Sequence, residues 1–248
     1  MDAVGLESLY DEVKTLATLR HPCILSFYGV TTPPHTDERL IVMELMHESL
    51  DKLLAKEGGL LSEAARRRLA KDIAEGAKYM HGLNIVHRDM STVNILVTGD
   101  AQHLEAVTAG KKEGVLAKLA DFGLSRPMAD HMTGATGNLR YMAPEVFQCG
   151  NYSLSADVYS YAFVVWEIFT GLVPFKGTNK YVVANKAANE KLRPAIRRQL
   201  SAGGGEDPTL GRAVPDDVAD LLEKAWHPLP SERLSFGEII LLLGAGAA

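Results

Sequence analysis

Cysteine is scarce in this chain. Two thiols, Cys23 and Cys149, in 248 residues cannot build a disulfide framework, and neither stands in a metal-ligand spacing. A reducing compartment, the cytoplasm, is therefore expected, with both thiols serving as packing or surface groups. Long apolar runs are missing as well. None reaches the roughly 18 residues that span a bilayer, and residues 1–10 are polar and acidic, unlike a signal peptide, so no membrane partner is expected. Nor is there a basic excess. Lys and Arg number 26 against 31 Asp and Glu, a net charge of −5, which excludes the electrostatic footprint of a nucleic-acid binder. The single basic cluster, Arg66-Arg67-Arg68, reads as a solvated helix face. No internal repeat is found.

What remains is a globular composition, 46% hydrophobic and 23% charged, in a chain long enough to bury a substantial core. Leu6, Leu9, Val13, Leu16 and Leu19 recur at three and four, which predicts a helix over 4–20. His21-Pro22 breaks it. Apolar runs at 23–30 and 39–46, separated by Thr31-Thr32-Pro33-Pro34, predict two strands and a turn. Ser62 is placed to cap a helix running to about His81, with Gly82 as its stop. Ile85-Val86, Ile95 to Val97 and Val115 to Leu119 read as short strands, and 99–114 as an exposed loop. Helices are expected over 156–170, 217–226 and 236–243, with a flexible loop at 201–215. The class is α+β with strands crowded at the front.

Three motifs carry chemistry. His87-Arg88-Asp89-Met90-Ser91-Thr92-Val93-Asn94 lies between a helix and a strand, so it is a loop. Asp121-Phe122-Gly123 follows a strand, and Ala143-Pro144-Glu145 comes third. Each is weak alone; the three in this order, each at the right element boundary, are specific. On these residues the chain resembles protein kinases of the tyrosine-kinase-like group, most of which phosphorylate Ser or Thr. The stretches Thr136 to Glu145, Ser155 to Tyr159 and Pro230 to Arg233 add to the likeness, which runs from about residue 4 to 243.

The resemblance implies a protein-kinase-like fold: a complete helical C-lobe at 47–248 and a truncated N-lobe at 1–46, made of one helix and two strands. It implies ATP and Mg²⁺ as cofactors and a protein as substrate. Asp89 would orient the substrate hydroxyl, and Asn94 and Asp121 would hold Mg²⁺, a hard cation that takes oxygen ligands. Glu44 to Met46 would present backbone groups to adenine behind Met43, with Leu96 beneath the ring. Arg88 would pair with a phosphate on the segment after Asp121, first on Thr133, otherwise on Thr136 or Ser125. His87, Phe122, Leu16 and Phe27 would form an apolar column. Asp157 would bond the catalytic-loop backbone, and Glu145 and Arg233 would form a buried ion pair.

Two departures stand against the family pattern. Glu12 matches the helix-borne acid, but the Gly-rich loop and strand-borne Lys that should precede it are not found. That leads to the expectation of an open sheet edge which a partner or sensor domain would cover. Ser91 stands where Ser/Thr kinases carry Lys, and Asn138 where they carry Thr or Ser. Two readings follow: a Ser/Thr protein kinase acting in signal transduction, or a catalytically impaired kinase-like binding or scaffold module.

Overall fold

The computed structural model describes residues 13, 16–36, 38–122, 126–127, 138–150, 152–199 and 210–245. Val13 and Leu16 to Thr18 are helical. Strands β1 (Phe27–Thr31) and β2 (Leu40–Met43) follow as an antiparallel hairpin, with Val30 opposite Ile41. Then come β3 (Glu48–Ser49), helix α1 (Leu50–Glu57), helix α2 (Glu63–Gly82), β4 (Ile85–Val86), β5 (Ile95–Val97), helix α3 (Ala101–Thr108), β6 (Ala117–Leu119) and β7 (Arg126–Pro127). The remainder is helical: α4 (Pro144–Cys149), α5 (Leu154–Thr170), α6 (Lys180–Asn189), α7 (Asp216–Ala225) and α8 (Phe236–Ala245). Strands β3, β5 and β6 form one antiparallel sheet, and β4 pairs with β7.

Helix α5 is the centre. From Ala156 to Thr170 every residue but Ser160 is buried, as expected of a helix that is apolar all round. It stops where Gly171 adopts φ 75°, the left-handed conformation that glycine reaches without steric cost. Helix α2 packs against α5, α8 and β6. Its N-terminus is capped by Ser62, whose Oγ accepts from Ala65 N at 3.1 Å. Gly76 lets the chain at Cys23 come close, because a Cβ there would stand 2.7 Å from the Cys23 carbonyl. That approach ties the front of the molecule to β6: Leu25 N donates to Leu119 O, and Leu119 N to Cys23 O, each at 2.9 Å.

Several expectations are corrected. Residues 99–114 are not simply a loop. Asp100 caps α3 by accepting from His103 N at 2.8 Å, and α3 buries Ala101, Leu104 and Val107. The first front strand begins at Phe27, not Cys23, since Cys23 to Leu25 are spent on Leu119. Gly82 is the last residue of α2, and Asn84 takes the left-handed turn at φ 58°. Helices α1, α4 and α6 lie where no helix was expected. The expected helix over 4–20 and the loop over 201–215 fall largely outside the described residues.

The basic cluster is not a solvated face either. Arg67 is buried, gripping Asp217 of α7 through both terminal nitrogens at 2.7 and 2.8 Å and Glu63 through Nε at 2.8 Å. The fork bolts the N-terminal ends of α2 and α7 together. Arg67→Ala should therefore lower unfolding free energy by about 2–3 kcal/mol in urea titration. Arg198→Ala, which removes pairs to the exposed Asp220 and Glu223, should leave the midpoint in place.

Candidate active site

The loop after β4 is shaped by a carboxylate that reaches it from the start of α5. Asp157 is buried; its Oδ2 accepts from His87 N at 2.8 Å and from His81 Nε2 at 3.0 Å, and its Oδ1 accepts from Arg88 N at 3.0 Å. Burial alone would push this carboxyl up. The His81 bond and charge and the backbone donor outweigh it and hold the group below the usual carboxylate range. So pinned, Arg88 adopts φ 72°, a left-handed conformation that costs a non-glycine residue roughly 1–3 kcal/mol. Its guanidinium lies 4.2 Å over the Tyr152 ring.

Beyond that bend Asp89 is held at both oxygens. Oδ1 accepts from Asn138 N at 2.8 Å and Oδ2 from Asn94 Nδ2 at 2.8 Å. The same Nδ2 donates to the Asp89 carbonyl at 2.9 Å. With its nitrogen committed, Asn94 keeps Oδ1 as the side-chain oxygen outside this pair. The Asn94 carbonyl accepts from Ala120 N at 2.9 Å, which places Asp121 one residue beyond the junction. His87 reinforces the junction. Its Nε2–H donates to Ala120 O at 3.1 Å, and its ring lies 5.5 Å from that of Phe122. Asp121 is exposed and sits at φ 58°, a conformation Asp tolerates better than most residues.

Asp89 and Asn94 are thus bonded to each other and, through the Asn94 carbonyl, to the backbone at Ala120, the residue before Asp121. The donor set suits magnesium: a carboxylate and an amide oxygen, with the other positions left to phosphate and water, which this ion keeps readily. Among the described residues no three His, Cys, Asp or Glu side chains converge as a metal cluster.

Among the residues expected to seat adenine, Glu44 is tied to β6 by Lys118 Nζ at 2.7 and 2.8 Å and to Ser26 by its backbone N–H at 2.9 Å. Leu96 lies on β5 beside Lys118 and is half-buried, as is Met46, while Met43 is exposed. Leu16 and Phe122 are buried in the core, and Phe27 packs against it. On the far side, Arg233 grips Glu145 at 2.7 and 2.8 Å and donates to the His227 and Ser155 carbonyls. Glu12, Ser125, Thr133 and Thr136 lie outside the described residues. Ser91, the residue in the lysine position, is fully buried.

Sequence reasoning missed Glu167. This buried carboxyl of α5 contacts the Tyr141 hydroxyl and Thr92 Oγ1. The signal was present: one acid inside the apolar run Val164 to Phe169, where a charge must find partners.

Comparison with known proteins agrees with the geometry. The family model described as "Protein kinase domain" matches residues 2–241. The chain is 34% identical over 239 residues to serine/threonine-protein kinase TNNI3K of Homo sapiens, covering 94% of this chain and 25% of that protein. It is 32% identical to serine/threonine-protein kinase STY17 of Arabidopsis thaliana, covering 98% of this chain and 38% of that one. To the seven transmembrane domain-containing tyrosine-protein kinase 1 of Dictyostelium discoideum it is 37% identical, over 94% and 31%. The chain therefore spans between a quarter and two fifths of the length of these relatives. With the family model matched along nearly its whole length, this chain belongs to the protein kinase domain family.

Proposed function

We propose that the chain is the phosphotransfer unit of a protein kinase, passing the γ-phosphate of ATP to a Ser or Thr hydroxyl of a protein substrate in cytoplasmic signalling. One observation carries this reading: Asp89, Asn94 and the backbone leading to Asp121 are bonded into a single unit beside an exposed acid. A module that only binds has no chemical need for that arrangement.

Phosphoryl transfer asks the protein for positioning and charge stabilisation rather than covalent chemistry. Asp89, fixed at both oxygens, accepts the proton of the substrate hydroxyl as its oxygen bonds to the γ-phosphorus and the bond to the β-phosphate oxygen breaks, releasing ADP. Asn94 Oδ1 and the Asp121 carboxylate would hold magnesium, which when bound neutralises phosphate charge. Glu44 to Met46, Met43 and Leu96 would seat the adenine, at the division between 1–46 and 47–248. Arg88 is the cation that a phosphate on Thr133, Thr136 or Ser125 would engage.

Asp89→Asn should lower kcat for transfer of labelled phosphate to a generic protein acceptor by about 10²–10⁴-fold with little change in KM for ATP. Undiminished transfer would overturn the assignment. Asp157 serves in this reading as the anchor of the catalytic loop. Asp157→Asn turns an NH₂ toward donors that need an acceptor, and should cost about 2–4 kcal/mol at pH 7 in urea titration. Because the folded carboxyl titrates below its unfolded value, its contribution is present above the unfolded pKa of about 3.9 and is lost as pH falls through the folded one. The gap between wild type and variant should therefore close below about pH 4.

A further inference from the structure

Behind the site lies a carboxyl that the proposed chemistry does not use. Glu167 is 3% exposed in the last turn of α5. The Tyr141 hydroxyl donates a short hydrogen bond to its Oε1, and Thr92 Oγ1 stands 3.4 Å from each of its oxygens. These two partners come from different elements. Thr92 is in the catalytic loop, two residues before Asn94. Tyr141 is in the segment 138–143, whose Asn138 N–H holds Asp89 and whose Tyr141 carbonyl accepts from Ser160 Oγ at 2.8 Å. A narrow recess lined by Asp89, Asn138, Tyr141, Asp157 and Ser160 runs between loop and segment. Three parts of the chain therefore meet on one carboxyl group.

The surroundings decide its protonation. Burial is the largest influence and raises the pKa to about 8; the Tyr141 and Thr92 hydroxyls oppose it. Asp51 of α1 repels a second negative charge, and its own Oδ1 is buried without a hydrogen-bond partner. Arg140 pulls the other way. At neutral pH the group therefore carries a proton and can both donate and accept.

We propose that Glu167 is a positioning residue of the phosphotransfer site, tying segment 138–143 to the catalytic loop through Tyr141 and Thr92 and so keeping the Asn138 amide on Asp89. Its consequence for transfer rests on the kinase reading above; its consequence for the segment does not.

The test uses the full chain and two readouts that a plain packing role would not move together. The first is hydrogen exchange at Asn138. Glu167→Ala should speed it at least about tenfold, and Glu167→Gln, which keeps a neutral donor and acceptor, should not. Should Glu167→Ala fail to fold, Tyr141→Phe and Thr92→Val are read the same way. The second is melting temperature against pH. The folded group keeps its proton above the unfolded pKa of about 4.3, so wild-type stability falls as pH rises from there to about 8. Glu167→Gln lacks this slope, so its advantage over wild type should grow across that window and level off above it. In transfer assays Glu167→Ala should lose about tenfold or more in kcat with unchanged KM for ATP, and Glu167→Gln should keep most of it. Unchanged Asn138 exchange in the Ala, Phe and Val variants overturns the positioning role, whatever Asp89→Asn does. A wild type without transfer whose Asn138 exchange still responds to these variants sinks the kinase reading and leaves the positioning role standing.

Discussion

Everything at the site hangs from the carboxylate of Asp157. A buried charge is tolerated only when its lone pairs are filled, and here they are filled by His81 and by the very backbone groups that open the loop after β4, His87 N–H and Arg88 N–H. The charge is thus stabilised by the loop, and the loop is bent by the charge. Because Asp157 stands in the first turn of the most deeply buried helix, the loop inherits the position of α5. Arg88 then turns left-handed, and Asp89 arrives facing Asn94 and Asn138.

From there the order spreads through hydrogen bonds between neighbours. Asn94 joins Asp89 to Ala120, the residue that follows β6. His87 closes the same junction from below. Glu167, two turns along α5 from Ser160, adds a second anchor to the loop and to segment 138–143. The Glu145–Arg233 pair fixes the next element, since Arg233 also reaches the Ser155 carbonyl at the start of α5. One helix therefore positions both walls of the cleft, and its own rigidity comes from being packed on all sides.

The loop from His87 to Asn94 was legible because its residues are consecutive. His87 through Asn94, Asp121-Phe122 and Ala143-Pro144-Glu145 can be recognised without knowing a single tertiary contact, and Ser62 announced the start of α2 by its own chemistry. What escaped was whatever depended on a distant partner or on a pattern masked by composition. Helix α3 hid inside a Gly- and Lys-rich stretch, although Asp100 before Ala101, Leu104 and Val107 is a cap followed by one buried stripe. Arg67 looked like one of three equal arginines; only the placement of Asp217, 150 residues away, buries it. Glu167 passed as an interruption in an apolar run because its partners, Thr92 and Tyr141, sit in other elements.

In the proposed reading, Asp89, Asn94 and Asp121 act together to steer magnesium and a phosphate toward a hydroxyl. Calorimetric titration of nucleotide with and without Mg²⁺ addresses it most directly. Magnesium should tighten ATP binding, and Asp121→Asn and Asn94→Ala should each abolish this gain while the metal-free affinity stays as in wild type. An affinity indifferent to magnesium in the wild type, or a magnesium gain that survives both substitutions, would contradict that reading.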